Sequence, residues 1–168
     1  LNNNPNSQLF TGKSLRLGGS KSPYEKNGTF YGDLSASLID NMPFWAEFSS
    51  TPSNKTSLMN DWNYKIDAII NETLNENVTS LAGVPSWMLV LLNKILEKSN
   101  KEYISEQWPN LEVYFHGGVS FKPYLNQYKS LINSESMKYY EIYNASEGFF
   151  AIQSVSYTHL TLPTNSRV

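Results

Sequence analysis

The chain has 168 residues, 40% hydrophobic and 14% aromatic, with 13 basic against 15 acidic side chains and a net charge of −2. That is about one domain of globular composition. With no cysteine and two histidines, it lacks a disulfide framework, a thiolate nucleophile and cysteine-based metal sites.

No cluster of lysines and arginines marks a nucleic-acid surface. The longest apolar run, Trp87 to Leu92, is far too short for a membrane span. These features point to a soluble, cytoplasmic protein with no nucleic-acid, membrane or obligate protein partner. Five Asn-x-Ser/Thr sequons occur, at Asn27, Asn54, Asn71, Asn77 and Asn144. The opening LNNNPNSQ has neither a basic nor an apolar segment of a signal peptide, so they are not read as glycan sites.

In chain order, Lys13 to Leu17 (KSLRL) alternates as a strand does and ends at Gly18-Gly19. Thr11-Gly12-Lys13-Ser14 imitates the end of a phosphate loop. Ser7 stands where that loop needs glycine, and no apolar strand precedes it. Leu34 to Ile39 reads as a short helix broken by Pro43. From Ser57, a candidate N-cap, Leu58, Trp62, Ile66, Ile69 and Ile70 recur at helical steps, with Lys65 and Asp67 facing elsewhere. That period predicts an amphipathic helix of about five turns.

Val78 to Gly83 reads as a strand. Pro85 suits a first helical position, and Trp87 to Leu96 is apolar all round, which predicts a buried helix. Leu111 to Phe115 is a β-rich run closing at His116-Gly117-Gly118. Phe121 to Ile132 has helical spacing, Tyr139 to Tyr143 is strand-like, and Phe149 to Gln153 returns as a strand. This alternation predicts an α/β fold with a mostly parallel sheet and helices on both faces.

The chemistry is positional. Three strands end in small-residue segments: Gly83-Val84-Pro85, His116-Gly117-Gly118-Val119-Ser120 and Asn144-Ala145-Ser146-Glu147-Gly148. Open α/β sheets bind ligands beyond the carboxyl ends of their strands. Gly117-Gly118 lets backbone approach a flat ligand, and Tyr143 offers a ring for stacking. Ser146 offers a hydroxyl and amide to a phosphate oxygen, and Glu147 a hard oxygen for Mg²⁺. Together they describe a nucleotide site. Structural readings stand beside each of them. Gly117-Gly118 also suits a tight turn, Asn144 to Gly148 a hairpin connection, and Tyr143 and Trp87 the core. His116 suits either a buried structural role or the pocket wall.

Three phrases carry a resemblance: Gly83-Val84-Pro85-Ser86-Trp87-Met88; Tyr114-Phe115-His116-Gly117-Gly118-Val119 with Lys122-Pro123-Tyr124; and Tyr143-Asn144-Ala145-Ser146-Glu147-Gly148-Phe149-Phe150. They resemble the Gretchen-Hagen-type, auxin-responsive-promoter family of acyl-acid amido synthetases, most closely its bacterial branch. That family belongs to the adenylate-forming superfamily that includes firefly luciferase and acyl-CoA ligases. The resemblance implies an ATP- and Mg²⁺-dependent ligase that activates a carboxylic acid as acyl-AMP and joins it to an amino acid. It implies that Gly117, Gly118 and Val119 line the adenine and that Tyr143, with Asn144 and Ala145, packs on it. Ser146 would lie near the α-phosphate and Glu147 would hold the metal, the two being the catalytic pair. Trp87, His116, Phe149 and Phe150 would border the acyl pocket.

The sequence also departs from that pattern. The superfamily's Ser/Thr/Gly-rich phosphate loop, its acidic ribose-binding motif and its mobile C-terminal domain are not found in these 168 residues. Residues 154–168, with Pro163 and His159, resemble a translated sequencing adapter. The expectation is therefore a partial large domain over residues 1–153 followed by a non-native tail, inert by itself although its parent is an enzyme. An acyl-CoA ligase of the same superfamily and a non-catalytic α/β binding or scaffold domain are the alternatives.

Overall fold

The computed structural model describes residues 5–19, 24–27, 29–31, 33–145 and 148–153, of which 24–26, 29–31, 144–145 and 148–150 as backbone only. The expected tail, 154–168 with His159, lies outside the described residues.

The strands are β1 (Lys13–Leu17), β2 (Tyr24–Lys26), β3 (Thr29–Tyr31), β4 (Ser50–Thr51), β5 (Val78–Gly83), β6 (Val113–His116), β7 (Lys138–Ala145) and β8 (Gly148–Ile152). The helices are α1 (Leu34–Asp40), α2 (Phe44–Phe48), α3 (Asn54–Ser57), α4 (Trp62–Thr73), α5 (Pro85–Ser99), α6 (Ile104–Gln107) and α7 (Leu125–Ile132). Six strands form one sheet in the order β4-β1-β5-β6-β7-β8, while β2 and β3 pair apart as a hairpin. Neighbours in the sheet run parallel except β7 and β8. The α/β architecture with a mostly parallel sheet is thus as expected.

From β1 the chain goes outward to β4, then returns past β1 to β5 and continues outward through β6 and β7. The direction of travel reverses between β1 and β5. A right-handed crossover places connections that run in opposite directions on opposite sheet faces. Leu15, Leu17, Leu81 and Tyr114 point to the face covered by α4, α5 and α7, and join Ile66, Ile69, Met88, Leu91, Leu92, Ile95, Tyr128 and Ile132 in one core. Arg16 alternates with Leu15 and Leu17 and meets Met42, just past α1, on the other face.

An aromatic stack joins the sheet to α5 and α7. Tyr114 and Tyr128 lie with ring centroids 5.0 Å apart. The Tyr114 hydroxyl donates to the Gly83 carbonyl at 2.9 Å, and that of Tyr128 to the Pro85 carbonyl at 2.8 Å. Burial raises both phenols well above their usual range and pushes Tyr139 up to about 12.

Three helices differ from the sequence expectation. The long helix from Ser57 is two: Ser57 closes α3, and Asp61 caps α4 by accepting from the amides of Asn63 and Tyr64 at 3.0 and 3.1 Å. Glu72 of α4 pins α3 across it, accepting from the Ser53 amide at 2.7 Å and from the Thr56 hydroxyl. Pro85 does open α5, but this helix is not buried all round: Trp87 and Val90 are 51% and 41% exposed. Helix α7 begins only at Leu125, because Phe121 to Tyr124 form a turn that inserts Phe121 into the core. Beyond Pro43, α2 is an addition that the sequence pattern did not suggest.

The capping geometry is testable. Asp61→Ala should cost about 1 kcal/mol in urea denaturation. Ser57→Ala removes only a 3.5 Å contact to the Pro52 carbonyl and should cost less than half as much.

Candidate functional site

The reversal between β1 and β5 leaves a crevice beyond their carboxyl ends, the place where α/β sheets bind ligands. A cleft of about 950 Å³ occupies it, within the ordinary size of small-molecule sites. Its rim is three glycine-bearing strand ends: Gly18-Gly19 after β1, Gly83-Val84 after β5 and Gly117-Gly118 after β6. Arg16, Ala82, Phe115 and Ile142 form the floor. Helix α1 with Met42 and Pro43 makes one wall, and Trp62 and Trp87 at the start of α4 and α5 make the other. The two indoles meet edge to face, 4.6 Å between centroids.

A polar network fixes the β1 rim. Lys65 of α4 is 1% exposed and donates from Nζ to the carbonyls of Gly18 at 2.9 Å and Gly19 at 3.3 Å. The Gly19 amide donates to Ser35 Oγ at 2.6 Å, and the Ser35 hydroxyl donates to the Asp33 carboxylate, which also caps α1 through the Ala36 amide. Burial lowers the Lys65 pKa, partly opposed by the charge of Asp33. Burial also raises Asp33, but bonds from Ser35 and Ala36 and the Lys65 charge outweigh it, leaving the carboxyl below its usual value. Burial lowers Arg16 too, against an opposing effect of Glu47.

Gly117 and Gly118 line this cleft, as does Trp87. The constraint on the glycines is partly structural. A Cβ on Gly117 would collide with the Ile142 carbonyl oxygen of β7, and Gly118 holds φ +82°, which L side chains rarely adopt. Val119 is 41% exposed and Tyr143 49%, and neither is among the described lining residues. His116 is 2% exposed and does not reach the cleft. It stacks on Phe121 at 4.0 Å with its Nδ1 unpartnered; its side chain alternates with that of Phe115, which takes the cleft face. Asn144 and Ala145 end β7, paired with Phe149 and Gly148, and Phe149 and Phe150 lie in β8; only their backbone is described. Ser146 and Glu147 lie outside the described residues.

The sequence reading missed Gly18-Gly19, Lys65, Asp33 and Arg16. One signal was available: Gly18-Gly19 closes a strand just as the other glycine segments do. Lys65, three residues after Trp62, does not face away from the apolar stripe as the helical reading expects but is buried at its edge.

The chain matches the GH3 family N-terminal domain over residues 6–137. The chain belongs to the GH3 family. No curated protein matches it. The matched span of this GH3 chain contains all three glycine rims and both tryptophans, and ends just before β7. Among the described residues, no group of three His, Asp or Glu side chains could hold a metal ion, and no helix is long and apolar enough to cross a membrane.

Two measurements probe the rim. Gly117→Ala must force β6 and β7 apart and should destabilise the chain by about 2 kcal/mol, read by urea denaturation. Burial lowers the His116 pKa from 6.5 to about 4, so the unfolded state takes up its proton first as the pH falls. The stability that His116 contributes is complete above pH 6.5 and gone by pH 4. Between pH 6.5 and 5 the chain should lose about 2 kcal/mol from this group, a slope that His116→Phe should abolish.

Proposed function

We propose that this GH3-family chain forms part of the adenylating domain of an ATP-dependent acyl-acid amido synthetase, most similar to the bacterial branch. The observation that carries this reading is the cleft at the sheet's reversal point, ringed by three glycine-bearing strand ends and walled by two tryptophans. A carboxylate is a poor electrophile. ATP supplies the leaving group by turning it into a mixed anhydride with AMP, which an amino-acid amine can displace.

The residues present suit a nucleotide and an apolar acid. Gly117 and Gly118 border the cleft where backbone can approach a flat base, with Val119 the next residue of the same loop. In this reading Tyr143, with Asn144 and Ala145, supports the adenine. Ser146 would donate to the phosphates and Glu147 would hold a Mg²⁺ ion that neutralises their charge, while Phe149, Phe150 and Trp87 would border the acid. The role of His116 is different: buried behind the rim, it holds Phe121 and not the substrate. Lys65 and Asp33 keep the β1 rim rigid, so that the donors facing developing charge need no reorganisation.

Calorimetric titration of the chain with ATP and Mg²⁺ tests the reading. Binding is expected with a dissociation constant of about 1 mM or tighter, and saturating nucleotide should protect Trp87 fluorescence from quenching. Carboxylate-dependent pyrophosphate exchange should stay at background, because no Ser/Thr/Gly-rich phosphate loop occurs in the sequence. A chain that binds no nucleotide would leave the scaffold reading instead. In the parent enzyme, acyl transfer to coenzyme A in place of an amino acid would identify the acyl-CoA ligase.

A further inference from the structure

The cleft holds two cations in different circumstances. Lys65 is provided for: two carbonyls accept from its ammonium, and Asp33 balances its charge. Arg16 is not. Its guanidinium lies on the cleft floor with Met42 Sδ as its hydrogen-bond partner among the described residues, 2.7 Å from Nη1, and a thioether is a weak acceptor. Glu47 exerts a longer-range effect, but the ion pair found among the described residues is Lys13–Glu76, not one with Arg16. Among the described residues, this planar fork of five donors therefore stands in a half-buried place with one weak acceptor.

Most of the cleft shared with Arg16 is apolar. Leu38, Met42, Phe115, Ile142 and the Trp62–Trp87 pair line it, with Asp33, Ser35, Asn41 and Lys65 as its polar members and Asp33 already engaged by Ser35 and the Lys65 charge. Burying a cation without a counter-charge is costly, and guanidinium pairs best with a carboxylate, which it can grip in two-point fashion. We propose that Arg16 is the carboxylate anchor of this cleft, taking the acid group of an aryl or alkyl carboxylate whose apolar body lies against Trp62, Trp87 and Phe115. The proposal rests on the adenylation reading for the purpose of that acid, and names the residue that orients it. The same chemistry fits two sources, the acid to be activated and the amino acid that accepts it.

The test is calorimetric titration of the whole chain with 3-phenylpropanoate, its neutral amide and L-phenylalanine. The carboxylate should bind at least tenfold more tightly than the amide, and raising the salt concentration should narrow that gap. Arg16→Met, which keeps an apolar side chain of similar length, should abolish the preference. Arg16→Lys, which keeps the charge but not the fork, should reduce it several-fold and decides the matter should the methionine variant not fold. Tighter binding of 3-phenylpropanoate than of L-phenylalanine assigns Arg16 to the acyl acid; the reverse assigns it to the acceptor. No carboxylate binding, equal affinity for acid and amide, or a preference that survives both substitutions overturns the proposal. ATP with Mg²⁺, titrated into the same samples, separates the two ideas. Nucleotide binding without an Arg16-dependent acid leaves adenylation standing and removes the anchor, and the converse removes adenylation and keeps the anchor.

Discussion

The site depends on one buried ammonium. Lys65 sits at the start of α4 with its charge removed from water, an arrangement that costs several kcal/mol unless it is repaid by hydrogen bonds and an opposite charge. The Gly18 and Gly19 carbonyls and the Asp33 carboxylate supply both. In satisfying itself, Lys65 ties together three pieces that are distant in sequence: the end of β1, the cap of α1 and the first turn of α4. Without it the Gly18 and Gly19 carbonyls would lose their shared donor. The β1 rim would then be held to α1 by the Gly19 amide bond to Ser35, the packing of Ile39 against Gly18 and the Arg16 contact with Met42.

A second tie holds the opposite rim. Tyr114 rises from β6 and Tyr128 from α7, and their hydroxyls take the two carbonyls, at Gly83 and Pro85, that flank Val84. Gly83 closes β5 and Pro85 opens α5, so the two hydroxyls grip the chain on either side of the strand-to-helix turn. The rings fill the core while the hydroxyls set the turn. Trp87 follows two residues later, and its place against Trp62 is inherited from that anchoring. One rim is thus held by charge and the other by aromatic packing, and the glycine pair after β6 closes the ring between them.

Much of the fold was legible because it follows from period and punctuation. KSLRL, VTSLAG and the run to His116 become β1, β5 and β6, and Pro85 opens α5 as its fixed φ suggests. The exceptions have local causes. Asp61 outcompetes Ser57 as a cap because its carboxylate reaches two amides, which splits the expected long helix. Trp87 of α5 is apolar but half-exposed, because beyond its contact with Trp62 of α4 it borders a cleft. Composition cannot tell a core wall from a pocket wall. A related ambiguity hid Lys65: a lysine in an amphipathic helix is assigned to the solvent face until the carbonyls it serves, some 46 residues away in sequence, are brought to it. His116 had two readings, a buried structural role and the pocket wall. Alternation along β6 sends Phe115 to the cleft and His116 to the core, in keeping with the first.

The two faces of the sheet divide the work. The face under α4, α5 and α7 is packed with branched and aromatic side chains, and it supplies the cohesion. The opposite face carries Arg16, Ala82, Phe115 and Ile142, a mixture too small and too polar to be a second core of that kind. Such a mixture weakens a fold if it is merely left half-covered, since it exposes Phe115 and Ile142 while partly desolvating a guanidinium. It becomes reasonable when the missing surface belongs to a ligand, for an apolar body would cover the rings and a carboxylate would meet the arginine in the same event. On the proposed reading, the requirements of the floor and of a carboxylic acid are complementary, an apolar and cationic face meeting an apolar and anionic molecule.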